Sequence, residues 1–200
     1  RKFTLYQSII LYRKFKGDQL FTGYELLPSN NILITNETGT VAGIVDESEA
    51  GDDISVHKGI ISPGFINCHC HLELSHLKGH IPKKTGLIDF ILKIVTERHF
   101  DEAEIIRAIN KAEAEMIQNG IVAVGDICNN ALSLPQKRNA KLWYYNFIET
   151  SGFPPAVAET RFQRNIDLYQ QFATLPSDSS IVPHAPYSVS PELFKRINEV

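Results

Sequence analysis

The sequence predicts an α/β protein in two parts, a small all-β unit followed by strands that alternate with helices. Two observations carry this. Up to about Ser62 the chain consists of short runs rich in β-branched and aromatic residues, separated by turn clusters. After Pro63, apolar runs of strand length alternate with stretches of helical periodicity, which implies a parallel sheet with helical crossovers.

In the first part, "FTLYQSIILY" (3–12), "NILITN" (31–36) and "TVAGIVDE" (40–47) read as strands. Pro28-Ser29-Asn30-Asn31 and Gly51-Asp52-Asp53 punctuate them as turns. In the second part, "GFINCHCHLEL" (64–74) reads as the first strand. "DEAEIIRAINKAEAEMIQNG" then places Asp101 as an N-cap with Glu104 three residues on, Ile105, Ile109, Ala112 and Met116 on one face, and a stop at Asn119-Gly120. Strands follow at "IVAVGDIC" (121–128), "KLWYYNFIET" (141–150) and "SIVPHAPYSVS" (180–190), with a helix over about 155–172 before the last. "SPELFKRI" starts another helix with Ser190 as N-cap and Pro191 in the first turn. No internal repeat or low-complexity segment is visible.

Composition narrows the function classes. The chain has 200 residues, 43% hydrophobic and 22% charged, with a formal net charge of -3, as in ordinary globular proteins. Its apolar runs are far shorter than the roughly 18–20 residues that cross a bilayer, and no apolar core of a secretory leader follows Arg1-Lys2. No membrane role is expected, and a cytoplasmic location is. Lysine and arginine number 20 against 23 acids and form no block, which argues against nucleic acid and for a small-molecule substrate. Three unevenly spaced cysteines suit reduced thiols rather than a disulfide framework.

The segment "SPGFINCHCHLEL" concentrates the chemistry. Side chains alternate across a strand, so Phe65, Asn67, His69, His71 and Glu73 share one face, while Ile66, Cys68, Cys70, Leu72 and Leu74 share the other, apolar one. Two imidazoles on neighbouring same-face positions are about 6.6–7 Å apart at Cα, close enough to converge on one cation. The cysteines are read as small hydrophobes packed under helices. A thiolate zinc site would need paired C-x(2–4)-C spacings, which the sequence lacks.

"GIISPGFINCHCHLELS" resembles the first barrel strand of the amidohydrolase superfamily, with its Pro-Gly-Phe-x-Asn-x-His-x-His pattern. "TGTVAGIVDE" is similar to the hairpin that precedes it, "GIVAVGDI" to the second barrel strand and "VPHAPYSVS" to the fourth. The Pro-His-Ala-Pro-Tyr-Ser segment is similar to the branch of cytosine deaminases, chlorohydrolases and nucleoside deaminases, and "HLELS" to deaminases of aminodeoxyfutalosine type. The resemblance implies the first four units of a (β/α)8 TIM-like barrel over residues 63–200, preceded by part of a β-sandwich domain over residues 1–62.

It further implies His69 and His71 as ligands of one divalent metal ion, zinc or iron, since the fourth strand lacks the lysine of binuclear members. His184 is implied as a substrate-contacting histidine. Glu73, towards the carboxyl end of the first strand, is a second candidate for substrate contact. Asp126 and Glu149 are read as hydrogen-bonded structural acids. His57, His76, His80 and His99 match no ligand position and are expected on the surface or in loops.

The activity implied is metal-dependent hydrolysis of a carbon–nitrogen bond other than a peptide bond, namely hydrolytic deamination of a nucleobase- or nucleoside-like compound. The alternatives are a chlorohydrolase, a cyclic amide hydrolase, or a catalytically incomplete binding module. The family's third histidine ligand and its aspartate come from later strands, so the 200 residues are expected to be the amino-terminal portion of a longer enzyme. Open sheet edges on such a portion invite association between copies.

Overall fold

The structure is a computed structural model that describes residues 11–84, 86–97 and 100–200. The carboxyl end of the "FTLYQSIILY" run is therefore described from Leu11 on, and its earlier residues, like His99, lie outside the described set. The chain divides into two compact units, Arg1–Pro63 and Gly64–Val200.

The first unit is built of short strands: β1 (Tyr12–Lys16), β2 (Gln19–Phe21), β3 (Leu26–Leu27), β4 (Asn31–Asn36), β5 (Val41–Asp46), β6 (Ile54–Val56) and β7 (Ile60–Ile61), with a single helical turn α1 (Glu47–Ala50). One sheet has the order β5-β4-β1-β6 and a second the order β3-β2-β7. The β4–β5 turn closes on Asn36, whose Oδ1 accepts from the amides of Thr38 and Thr40. Gly39 there takes φ +87°, a conformation that residues with a Cβ rarely adopt. Asp46 caps α1 by accepting from the Ser48 amide, and the Ser48 hydrogen bonds hold its carboxyl below the ordinary value.

The second unit carries β8 (Phe65–Cys70), α2 (Leu87–Glu97), α3 (Glu102–Gln118), β9 (Ile121–Cys128), α4 (Leu134–Lys137), β10 (Trp143–Thr150), α5 (Ala158–Phe172), β11 (Ser179–Pro183) and α6 (Pro191–Ile197). The strands form one sheet in sequential order, β11-β10-β9-β8, and every pair is parallel. Helices cover one face of it. α3 closes over a cluster of Ile105, Ile109, Val124, Leu142 and Tyr144; α5 and α6 close over Cys128, Ile148, Phe162, Phe172, Ile181 and Leu193. Along β10 the alternation is regular: Tyr144, Asn146, Ile148 and Thr150 are buried towards the helices. Trp143, Tyr145, Phe147 and Glu149 alternate with them and are less buried, the rings of Tyr145 and Phe147 lying 4.8 Å apart.

Several sequence expectations change. β8 stops at Cys70, not Leu74, and its register against β9 slips between Asn67 and Cys70, where three steps on β8 match two on β9. The bulge breaks the strict alternation. Asn67 donates to Met116 Sδ on α3, and Cys70, an odd number of residues later, packs in the cluster under the same helix. Cys68 is exposed instead of packed under a helix. The last strand ends at Pro183, since Pro186 opens a 3₁₀ turn over Pro186–Ser188. Asp101 precedes α3 but its side chain makes no capping hydrogen bond, whereas Ser190 Oγ accepts from the Leu193 amide as its sequence position predicts. α2 was not foreseen; none of its residues is buried, and Leu87, Ile88, Ile91 and Leu92 are all exposed.

Candidate active site

The site is built where the strands of the second unit end. At the end of β8 the backbone leaves the sheet because the Leu72 amide donates to Asp126 Oδ1 (2.8 Å) on β9, and Leu72 is fully buried in the cluster under α3. The next residues wind into a 3₁₀ helix, Leu72–Leu77, held by Ser75 Oγ donating to the Leu72 carbonyl at 2.7 Å. His69, in β8, and His71, just before the turn, have ring centroids 5.3 Å apart and planes at 67°.

Asp126 faces the helices, where a carboxylate needs a partner. It has one: Lys137 Nζ on α4 lies 2.6 Å from Asp126 Oδ2, with both side chains 1% exposed. The ammonium also donates to Asn146 Oδ1 at 2.8 Å and sits 3.2 Å from Cys128 Sγ. Beside it, Glu113 of α3 accepts from Tyr144 Oη at 2.9 Å and from Gln136 Nε2. Burial, then the neighbouring carboxylates, push the thiol of Cys70 up to about 12 and raise those of Cys128 and the Tyr144 phenol as well.

Glu73 stands in the 3₁₀ helix and so does not extend the histidine face of a strand. Its carboxylate is buried and turned to the loop after β9, where Oε2 accepts from the amides of Asn129 (2.9 Å) and Asn130 (3.1 Å). Burial pushes this carboxyl up to about 7 against the lowering effect of the Asn129 amide. His184 follows β11, its amide bound to the Thr150 carbonyl at 2.8 Å and its Nδ1 2.8 Å from Glu149 Oε1. Glu149 Oε2 accepts from Asn129 Nδ2 at 3.0 Å. A cavity of about 440 Å³ is lined by Glu73, Asn129, Glu149, Arg161 and Arg164 among others.

His71 links the two halves of the site. Its imidazole is held below the ordinary value chiefly by burial, with Glu149 pulling the other way and His69 and His184 adding their repulsion. Its Nδ1 is buried without a hydrogen-bond partner. A neutral imidazole with an uncommitted nitrogen, beside a second imidazole, fits a divalent metal. No group of three histidine, cysteine, aspartate or glutamate side chains able to hold a metal occurs among the described residues, whereas a catalytic zinc site ordinarily uses three protein ligands. His57 and His80 are exposed, but His76 is buried, with its ring edge-on to Phe100 at 4.9 Å, because the 3₁₀ helix turns it inwards; the surface expectation is corrected there.

Two residues of the site, Asn129 and Lys137, have no counterpart in the sequence reading, and a third, Glu149, is read there only as a hydrogen-bonded structural acid. Glu149 ends the row Trp143, Tyr145, Phe147, opposite the buried helix-side residues of β10, and that period of two was a usable signal. Asn129 and Lys137 gave none, since a lysine in a short polar stretch ordinarily points to water.

A parallel βα sheet with a pair of histidines at the end of its first strand, His69 within it and His71 just past it, is the arrangement that the amidohydrolase resemblance implies. Residues 60–200 match the Amidohydrolase family, and the chain belongs to it. It is 20% identical over 186 residues to a 5-methylthioadenosine/S-adenosylhomocysteine deaminase of Natronomonas pharaonis, covering 88% of this chain and 43% of that protein. A 5'-deoxyadenosine deaminase of Methanoregula boonei is 26% identical over 197 residues, covering 86% of this chain and 44% of the relative. Among solved structures, Helicobacter pylori aminofutalosine deaminase in complex with methylthio-coformycin superposes with a TM-score of 0.76 at 18% identity, over 94% of this chain and 47% of the other. The zinc complex of atrazine chlorohydrolase from Arthrobacter aurescens does so at 0.67 and 15% identity, over 93% and 49%. The chain thus spans less than half the length of these relatives. Among the described residues no helix is long and apolar enough to cross a membrane.

Proposed function

We propose that the full-length protein is a hydrolytic deaminase of an adenosine-type nucleoside or nucleobase-like compound. In this reading, residues 63–200 are the first four units of a (β/α)8 barrel and residues 1–62 part of a β-sandwich domain. The single observation that carries it is the His69–His71 ring pair at the end of the first parallel strand of the amidohydrolase unit. The names of the sequence relatives, all deaminases of adenosine derivatives, support the substrate class. The three free cysteines suit a cytoplasmic location.

His69 and His71 would hold one divalent metal, zinc or iron, together with residues outside the described set. The ion supplies the Lewis acidity that makes a water nucleophilic near neutral pH. His184, its Nδ1 engaged by Glu149, contacts the substrate ring through its other nitrogen. Glu73, its carboxyl raised by burial, holds the Asn129–Asn130 loop and is the second candidate for substrate contact, although none of His69, His71 and His184 lines the cavity beside it.

The test is ammonia release from a panel of adenosine derivatives, pyrimidines and purines by the full-length protein, run beside chlorinated triazines and cyclic amides. Ammonia from an adenosine derivative is the expected result. Chloride release or ring opening without ammonia would assign another chemistry of the same fold. Absence of turnover with every compound would leave a binding module.

A further inference from the structure

We infer that Glu149 is a positioning residue that fixes the proton of His184 on Nδ1, so that Nε2 is the nitrogen offered to substrate. The inference rests on the reading of His184 as a substrate-contacting group. The side chain of Glu149 is 13% exposed whereas that of His184 is 45% exposed, so the carboxylate is withdrawn from water while the imidazole still faces it. A withdrawn carboxylate needs donors on both oxygens. Oε2 has the Asn129 carboxamide at 3.0 Å, and Oε1 has His184 Nδ1 at 2.8 Å.

An ionised carboxylate only accepts, so the ring nitrogen facing it must carry the proton. Which nitrogen of an imidazole is protonated is set by the hydrogen bond the other one makes. Here that leaves a lone pair on Nε2, able to accept from an N–H or O–H of a bound ligand. If the ring gains a second proton at Nε2, the charge remains paired with Glu149.

Glu149 is also held at its main chain. The Glu149 carbonyl accepts from Asn165 Nδ2 of α5 at 2.7 Å. Asn129, which holds Oε2, is fixed in turn by its own amide donating to Glu73 at 2.9 Å. Glu73, Asn129, Glu149 and His184 therefore form one hydrogen-bonded line from the 3₁₀ helix after β8, past the ends of β9 and β10, to the end of β11. A solvent-exposed ion pair would need none of this support.

The test is two-bond proton–nitrogen correlation on the full-length protein labelled with ¹⁵N-histidine, at about pH 9 where imidazoles are neutral. His184 is assigned from the signal lost in His184→Gln. The wild type should show the Nδ1–H pattern. Glu149→Ala should convert it to Nε2–H, whereas Glu149→Gln, which keeps an acceptor oxygen, should retain Nδ1–H.

In ammonia release, Glu149→Ala should lose about 10–100-fold in kcat with KM changed less than about threefold, and Glu149→Gln should recover most of the loss. An Nε2–H pattern in the wild type, or one unaltered by Glu149→Ala, overturns the inference; so does an unchanged kcat in Glu149→Ala. A wild type that shows Nδ1–H, and loses it in Glu149→Ala, but releases no ammonia supports the proton placement and counts against the deaminase reading alone.

Discussion

Asp126 on β9 grips the Leu72 amide with one carboxylate oxygen and the Lys137 ammonium with the other, at 2.8 and 2.6 Å. One buried acid thereby ties the end of β8 to α4 and fixes the turn that follows His71. Removing the cation leaves that acid uncompensated. Lys137→Met is expected to destabilise the fold by about 3–5 kcal/mol, the usual cost of stranding one partner of a buried pair. Urea unfolding of the full-length protein measures it, and a loss below about 1 kcal/mol would mean that water or a rearranged side chain compensates Asp126.

Gly125 lies where β9 meets β8 and β10. A Cβ there would sit 2.9 Å from the Cys68 carbonyl oxygen and 3.0 Å from Phe147 Cε2. Backbone cannot yield as a flexible side chain can, so Gly125→Ala should cost about 1–3 kcal/mol. Thermal melting reads the loss, and relief by a second change, Phe147→Leu, should be small because the carbonyl contact persists.

Stability should fall in alkali. The Tyr144 phenol is raised above its ordinary value of 10.0 by burial and then by Glu113, so the folded chain keeps a proton that the unfolded chain gives up. Unfolding is therefore favoured progressively above that value, by about 1.4 kcal/mol per pH unit for this group. Tyr144→Phe is expected to lower stability at neutral pH, through loss of the bond to Glu113, yet to flatten the alkaline slope. Urea midpoints at pH values on either side of 10 provide the comparison, and an unchanged slope in the variant would assign the effect elsewhere.

Metal should follow the histidine pair. His69→Ala and His71→Ala in the full-length protein are each expected to reduce bound metal well below the wild-type content in elemental analysis, because a catalytic zinc site ordinarily uses three protein ligands and each variant removes one. Dialysis against a chelator should abolish ammonia release and added zinc or iron restore it. Full activity in a metal-free double variant would refute the metal assignment.

Much of the second unit was legible because parallel strands buried beneath helices read as apolar runs: Ile121–Cys128 matches β9 residue for residue, and Ser190-Pro191 marks the start of α6. The end of β8 was not legible. Strict alternation carries Glu73 onto the histidine face, whereas the bulge near Cys68 and the pull of Asp126 on Leu72 end the strand first. Both are tertiary effects, with no local residue signal. His76 was misplaced for the same reason, since its burial depends on the 3₁₀ helix and on Phe100. The Glu149–His184 contact joins residues 35 apart in sequence, a pairing that spacing alone does not reveal.

The aromatic row on β10 begins with Trp143, the only tryptophan in the chain, 6.4 Å from the Tyr145 ring. With 54% of its surface in water, the indole reports its own surroundings: whatever comes to cover this end of the row will move its emission to shorter wavelength, without any attached dye.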